Sequence, residues 1–103
     1  MIEPQDCTTM ADVRAGVDET DRELAAIIGR RFRFMDAAAR IKPLRDQVRD
    51  EGRKAQVIAN VAEQAAANGW PPEVAAALWE TLVEGSIAYE LAAFDRLRTS
   101  DAA

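Results

Sequence analysis

A chain of 103 residues, 49% hydrophobic and 30% charged, is long enough for one folded domain and too apolar for a disordered polymer. The net charge of −5 argues against nucleic acid as a partner, because phosphate contacts need a basic field. Histidine is absent and Cys7 is the sole cysteine, which excludes His-based triads, nearly all zinc sites and an intrachain disulfide.

The positive charge is unevenly placed. Eleven of the thirteen Lys and Arg residues lie between Arg14 and Lys54, and the C-terminal half is acidic and alanine-rich. A small anion in a locally basic pocket fits this asymmetry better than a polyanion on the surface. Residues 1–8 form a lead-in in which Pro4 and Asp6 mark irregular structure. They lack the basic and apolar regions of a signal peptide, and no apolar run approaches membrane-spanning length. A cytoplasmic protein without a membrane partner is expected.

The first helix is expected over residues 9–42. Val13, Val17, Leu24, Ile27, Ile28, Phe34, Met35, Ala38 and Ile41 recur at helical spacing, and no proline interrupts them before Pro43. Thr9 with Asp12 three residues later reads as a capping box. Such a helix is about 50 Å long, whereas a compact domain of this size has a radius of gyration near 13 Å. One copy cannot cover both halves of it. The expected architecture is therefore all-α, with three helices per chain, the first longest, in an intertwined homodimer.

Charges fall inside this apolar stripe. At about 100° per residue, Arg31 shares the face of Ile27, Ile28, Phe34 and Met35, and Lys42 lies about 20° away, three turns further on. A buried cation needs anionic company. An internal salt bridge and a ligand site are equally good readings of this spacing. Arg14 projects about 100° from Arg31, so one straight helix cannot aim both into one compact pocket. Arg14 reads either as a solvated residue near the helix start or, in an antiparallel pairing of two copies, as a residue of one chain that meets Arg31 of the other. Arg30, Arg33, Arg40, Arg45 and Arg49 read as surface charges, and Cys7 as a small residue ahead of the helix.

Pro43 ends the first helix, because the residue before proline is pushed away from the α region. Residues 43–49 form the connecting loop. The second helix spans 50–67, with Val57, Ile58, Val61, Ala62 and Ala65 as its apolar face. Asp50 is its candidate cap, Arg53 stands in its first turn, and first-turn amides can receive an anion. Asn68-Gly69 is a helix stop, and Trp70-Pro71-Pro72 a turn anchored by Trp70. The third helix runs from Pro72 to about Arg98, with 99–103 frayed like 1–8. Its stripe contains Ser86 and Glu90 among Leu78, Trp79, Leu82, Val83, Ile87, Leu91, Phe94 and Leu97. The two polar residues point inward together. Glu90 either closes the core against Arg31 or Lys42, or serves a ligand as a carboxyl whose proton is favoured by desolvation. Phe34, Met35, Trp79 and Phe94 are expected in the core.

Arg14 within ADVRAGVDETD, Arg31 in the RR pair, Lys42 at the end of the first helix, Arg53 early in the second, and Ser86 with Glu90 on the third form an ordered set. Over nearly the whole chain, 1–103, this set resembles the all-helical chorismate mutase family, the AroQ class. The front segment DCTTMADVR resembles its isochorismate-pyruvate lyase branch, which makes salicylate for siderophores.

The resemblance implies an intertwined dimer with two pockets, each using one Arg from the partner's first helix. It implies a small dicarboxylate substrate, chorismate or isochorismate, and neither cofactor nor metal. Arg14 from the partner and Arg31 would hold carboxylates. Lys42 would donate to the ether oxygen, Arg53 and Asp50 would lie near the substrate, and Ser86 would be a peripheral contact. Lys42, Glu90 and Arg31 are the expected catalytic residues. Two positions depart from the pattern. Glu90 stands where many relatives carry Gln, so it donates only when protonated. Lys54 stands where bacterial mutases often carry a Glu that accepts from the substrate hydroxyl. Three functions compete: chorismate mutase, which leads, isochorismate-pyruvate lyase, and a silent helical interaction module.

Overall fold

The computed structural model describes residues 2–102, with side chains as far as Thr99. Its described residues form helices α1 (Met10–Ile41), α2 (Glu51–Ala67) and α3 (Pro72–Ala102), two short 3-10 turns at Pro4–Asp6 and Arg45–Gln47, and no strand. The chain divides into two compact units, residues 1–34 and 35–103.

The first unit is the lead-in and most of α1. Its helix starts where the capping residues place it. The Asp12 amide donates to Thr9 Oγ1 at 3.1 Å, and the Thr9 amide donates to Asp12 Oδ2 at 3.3 Å. The Thr8 amide donates to the same carboxylate and, with Thr9, holds Asp12 below the usual carboxylate range. A single helix has nothing of its own on which to bury a stripe. Val13, Val17, Leu24, Ile27 and Ile28 are accordingly all exposed, Ile27 by 63%. Phe34, expected in the core, is 59% exposed, with the Arg30 guanidinium 5.8 Å from its ring centre.

The second unit holds the end of α1 with α2 and α3. Ala39, Val48, Val83, Ile87, Ala93 and Phe94 form one buried cluster. Val61, Ala65 and Ala75 form another, and Trp79 packs against both. The middle of the expected α3 stripe is buried at Val83, Ser86, Ile87, Glu90 and Phe94, whereas Leu78 and Leu97 toward its ends are 54% and 37% exposed. Helix α2 ends at Asn68, whose side chain donates to the Gln64 carbonyl at 2.8 Å. Gly69 follows at φ 79°, a left-handed conformation that glycine adopts at no steric cost. The Trp70 amide then donates back to the Ala65 carbonyl at 3.0 Å, which folds the chain toward α3.

Helix α3 runs past its expected end near Arg98 to Ala102. Neither glycine nor proline stops it there, and Thr99 Oγ1 satisfies the Asp95 carbonyl at 2.9 Å. Of the termini expected to fray, Met1 and Ala103 lie outside the described residues.

Candidate active site

Lys42 is the first residue beyond α1. Its amide closes the last turn on the Ala38 carbonyl at 2.9 Å, and Pro43 then bars continuation. Its side chain crosses to α3, where Nζ donates to Glu90 Oε2 at 2.8 Å. The Glu90 side chain is 5% exposed and that of Lys42 is 30% exposed. The pair is the internal salt bridge that the charge pattern allowed for. It is not sealed, because Lys42 lines an open hollow of about 620 Å³ with Ile41, Pro43, Gln47, Arg49, Asp50 and Glu51. An ammonium carries three donors, so one bond to Glu90 does not exhaust it.

Asp50 caps α2 as its position predicts. Oδ1 accepts from the Arg53 amide at 2.9 Å, so a carboxylate of the protein already occupies the amide that an anion would seek. The Arg53 side chain is exposed and turns along its own helix, with Nη1 donating to Gln56 Oε1 at 2.6 Å. Ser86 is buried one turn before Glu90, and its hydroxyl donates to the Leu82 carbonyl at 2.7 Å.

An ion network flanks this hollow. Arg49 donates to Glu84 from both terminal guanidinium nitrogens, Nη2 at 2.8 Å and Nη1 at 3.0 Å, and from Nη1 to Glu51 at 2.8 Å. Lys54 donates to Glu80 at 2.7 Å and to Glu84 at 2.9 Å. The hydrogen bonds from Arg49 and then Lys54 draw the Glu84 carboxyl from its ordinary 4.5 down to about 2. Glu80 and then Glu84 raise the Lys54 ammonium above its usual range. The Arg49 guanidinium is likewise raised, by Glu84 and then Glu51. Lys54 is committed to α3, which accounts for its presence without a ligand.

Further tethers join α3 to residues 36–45. Tyr89 donates to Asp36 at 2.8 Å, and Arg45 holds Asp95 at 2.9 and 3.2 Å. Arg98 donates to the Ala39 and Lys42 carbonyls, at 2.6 Å each.

Of the residues singled out in the sequence, the structure joins Lys42 to Glu90 directly, sets Asp50 in the same hollow as Lys42, and stacks Ser86 one turn from Glu90. Arg14, exposed, and Arg31, partly buried, belong to the first unit. Gln47 and Arg98 have no role in the sequence reading, and Arg49 reads there as a surface charge. Arg49 reaches Glu84, 35 residues on, and Arg98 reaches backbone carbonyls, so neither contact leaves a spacing to read, whereas Gln47 accepts locally from the Leu44 amide at 3.2 Å.

The model of the family "chorismate mutase type II" matches residues 13–91. An isochorismate pyruvate lyase from Pseudomonas aeruginosa is 29% identical over 91 residues, which cover 88% of this chain and 90% of the relative. No helix among the described residues is long and apolar enough to cross a membrane.

Proposed function

Because the chain belongs to the chorismate mutase type II family, we propose that it rearranges chorismate to prephenate in a cationic pocket centred on Lys42. The observation that carries this reading is the position of Lys42. It is a partly buried ammonium on the wall of an open hollow, anchored to a buried acid.

The reaction requires no covalent intermediate and no cofactor. It requires a reactive conformer to be held and negative charge on the oxygen of the breaking C–O bond to be stabilised. Lys42 donates to that ether oxygen, a contribution of about 3 kcal/mol for one preorganised donor. Arg31 and Arg14 hold the two carboxylates, with Arg14 supplied by a second copy in a homodimer. The exposed stripe of Val17, Leu24, Ile27 and Ile28 supports that assembly, since burying these side chains is favourable by about 25 cal/mol per Å². Arg53 and Asp50 recognise the ring or side-chain groups of the substrate, and Ser86 is peripheral. Glu90 anchors the Lys42 ammonium at the wall of the hollow. The enzyme is expected to be cytoplasmic.

The second reading is isochorismate-pyruvate lyase, which the name of the Pseudomonas relative favours. The test is to incubate the purified protein with chorismate and isochorismate separately and identify the products. Prephenate from chorismate is the expected result. Salicylate with pyruvate from isochorismate alone would replace it by the lyase reading. No turnover of either compound leaves a silent helical module.

A further inference from the structure

Lys42 is held at both ends by α3. Its Nζ meets Glu90, and its carbonyl accepts from Arg98 Nη2 at 2.6 Å. The other arm of the same guanidinium donates to the Ala39 carbonyl at 2.6 Å. Arg98 itself lies over the ring of buried Phe94, with its guanidinium carbon 3.7 Å from the ring centre. A cation placed on the last carbonyls of a helix also answers the negative end of the helix dipole. Lys42 needs such a hold, because Pro43 behind it has no amide with which to extend the ladder.

We propose that Arg98 is a positioning residue for Lys42: by bridging the Ala39 and Lys42 carbonyls it fixes the backbone from which the Lys42 ammonium reaches the pocket. The planar fork meets the two carbonyls with separate arms held in a fixed geometry, which a single ammonium nitrogen reproduces only in part. Its consequence for turnover rests on the mutase reading above. Its consequence for Lys42 does not.

The experiment has two arms. The first compares kcat and KM for chorismate in the wild type, Arg98→Met and Arg98→Lys, at a temperature where each is folded. Displacing a reacting group by the order of 1 Å costs about a hundredfold. Arg98→Met is expected to lose roughly ten- to a hundredfold in kcat with KM changed less than about threefold, and Arg98→Lys to fall between. Asp95→Asn, which removes the neighbouring Arg45 tether, should leave kcat unchanged.

The second arm needs no turnover. Lys42 and Lys54 are the only lysines in the chain, so reductive ¹³C-methylation gives two assignable side-chain signals, with Lys54 as the internal reference. In Arg98→Met, or in Arg98→Lys if the former does not fold, the Lys42 signal is expected to move toward its position in Glu90→Gln while Lys54 stays. An unmoved Lys42 signal overturns the proposal, as does an unchanged kcat in an active enzyme. A moved signal in a protein that turns over neither substrate upholds the positioning role and refutes the mutase reading.

Discussion

Glu90 and Lys42 lie 48 residues apart in sequence and 2.8 Å apart in space, the acid nearly sealed and the ammonium at the edge of solvent. An ammonium tied to a carboxylate is well placed but partly neutralised. A neutral amide in place of the carboxylate leaves the full positive charge in the hollow and adds a second donor. Glu90→Gln is therefore expected to keep or raise kcat for chorismate, whereas Glu90→Ala, which supplies no donor, should lower it. Steady-state kinetics compare the three proteins, and a Glu90→Gln variant as impaired as Glu90→Ala would remove the requirement for a donor at this position.

Lys42→Ala should cost about 10²–10³ in kcat, the usual loss for one preorganised donor. It also leaves Glu90 buried without its ammonium, which is destabilising. A lowered Tm together with the lost rate is expected. The double variant Lys42→Ala/Glu90→Gln should recover much of the Tm and none of the rate. Thermal melts and steady-state kinetics separate the two effects.

Glu84 dictates part of the acid stability. Its carboxyl falls from 4.5 to about 2 because Arg49 and Lys54 bind its ionised form. A depressed carboxyl stabilises the fold above its unfolded value and loses that contribution as pH falls through its folded value. Tm should therefore drop between about pH 4.5 and about pH 2, and Glu84→Gln should be less stable at pH 7 and flatter across that window. Asp12 and Asp95, also held low by their partners, leave a residual slope in the variant.

The exposed face of α1 should be the contact between copies. Sedimentation at micromolar concentration is expected to give a dimer, and Ile27→Asp a monomer without activity. Mixing Arg14→Ala with Lys42→Ala subunits tests the sharing of Arg14. Each mixed dimer would rebuild one complete site, so random exchange returns about a quarter of wild-type activity from two inactive parents. No recovery after proven exchange would place Arg14 and Lys42 of the same chain in one site.

Local chemistry made the helix ends readable. Thr9 with Asp12, Asp50 ahead of α2 and Gly69 behind it each satisfy groups within a few residues, so sequence neighbours suffice to foresee them. The inward turn of Ser86 and Glu90 was equally legible, because one helix carries its own period. Whether Glu90 meets Lys42 or Arg31 depends on how separate helices pack, and spacing left both open. Phe34 shows the same dependence: its stripe is apolar, but within one chain the ring is 59% exposed, and its cover would come from the copy expected to pack on that face. Arg98 was invisible because its partners are carbonyls, which every residue has.

Lys54 binds two carboxylates spaced one turn apart on α3, Glu80 at 2.7 Å and Glu84 at 2.9 Å. Exchanging it for the acid that bacterial mutases often carry there would strip Glu80 of its ammonium and set a third carboxylate beside Glu84, which Arg49 alone would still hold. The same exchange should be tolerated better after Glu80 has been neutralised, so the effect of one substitution on this face depends on which came before it.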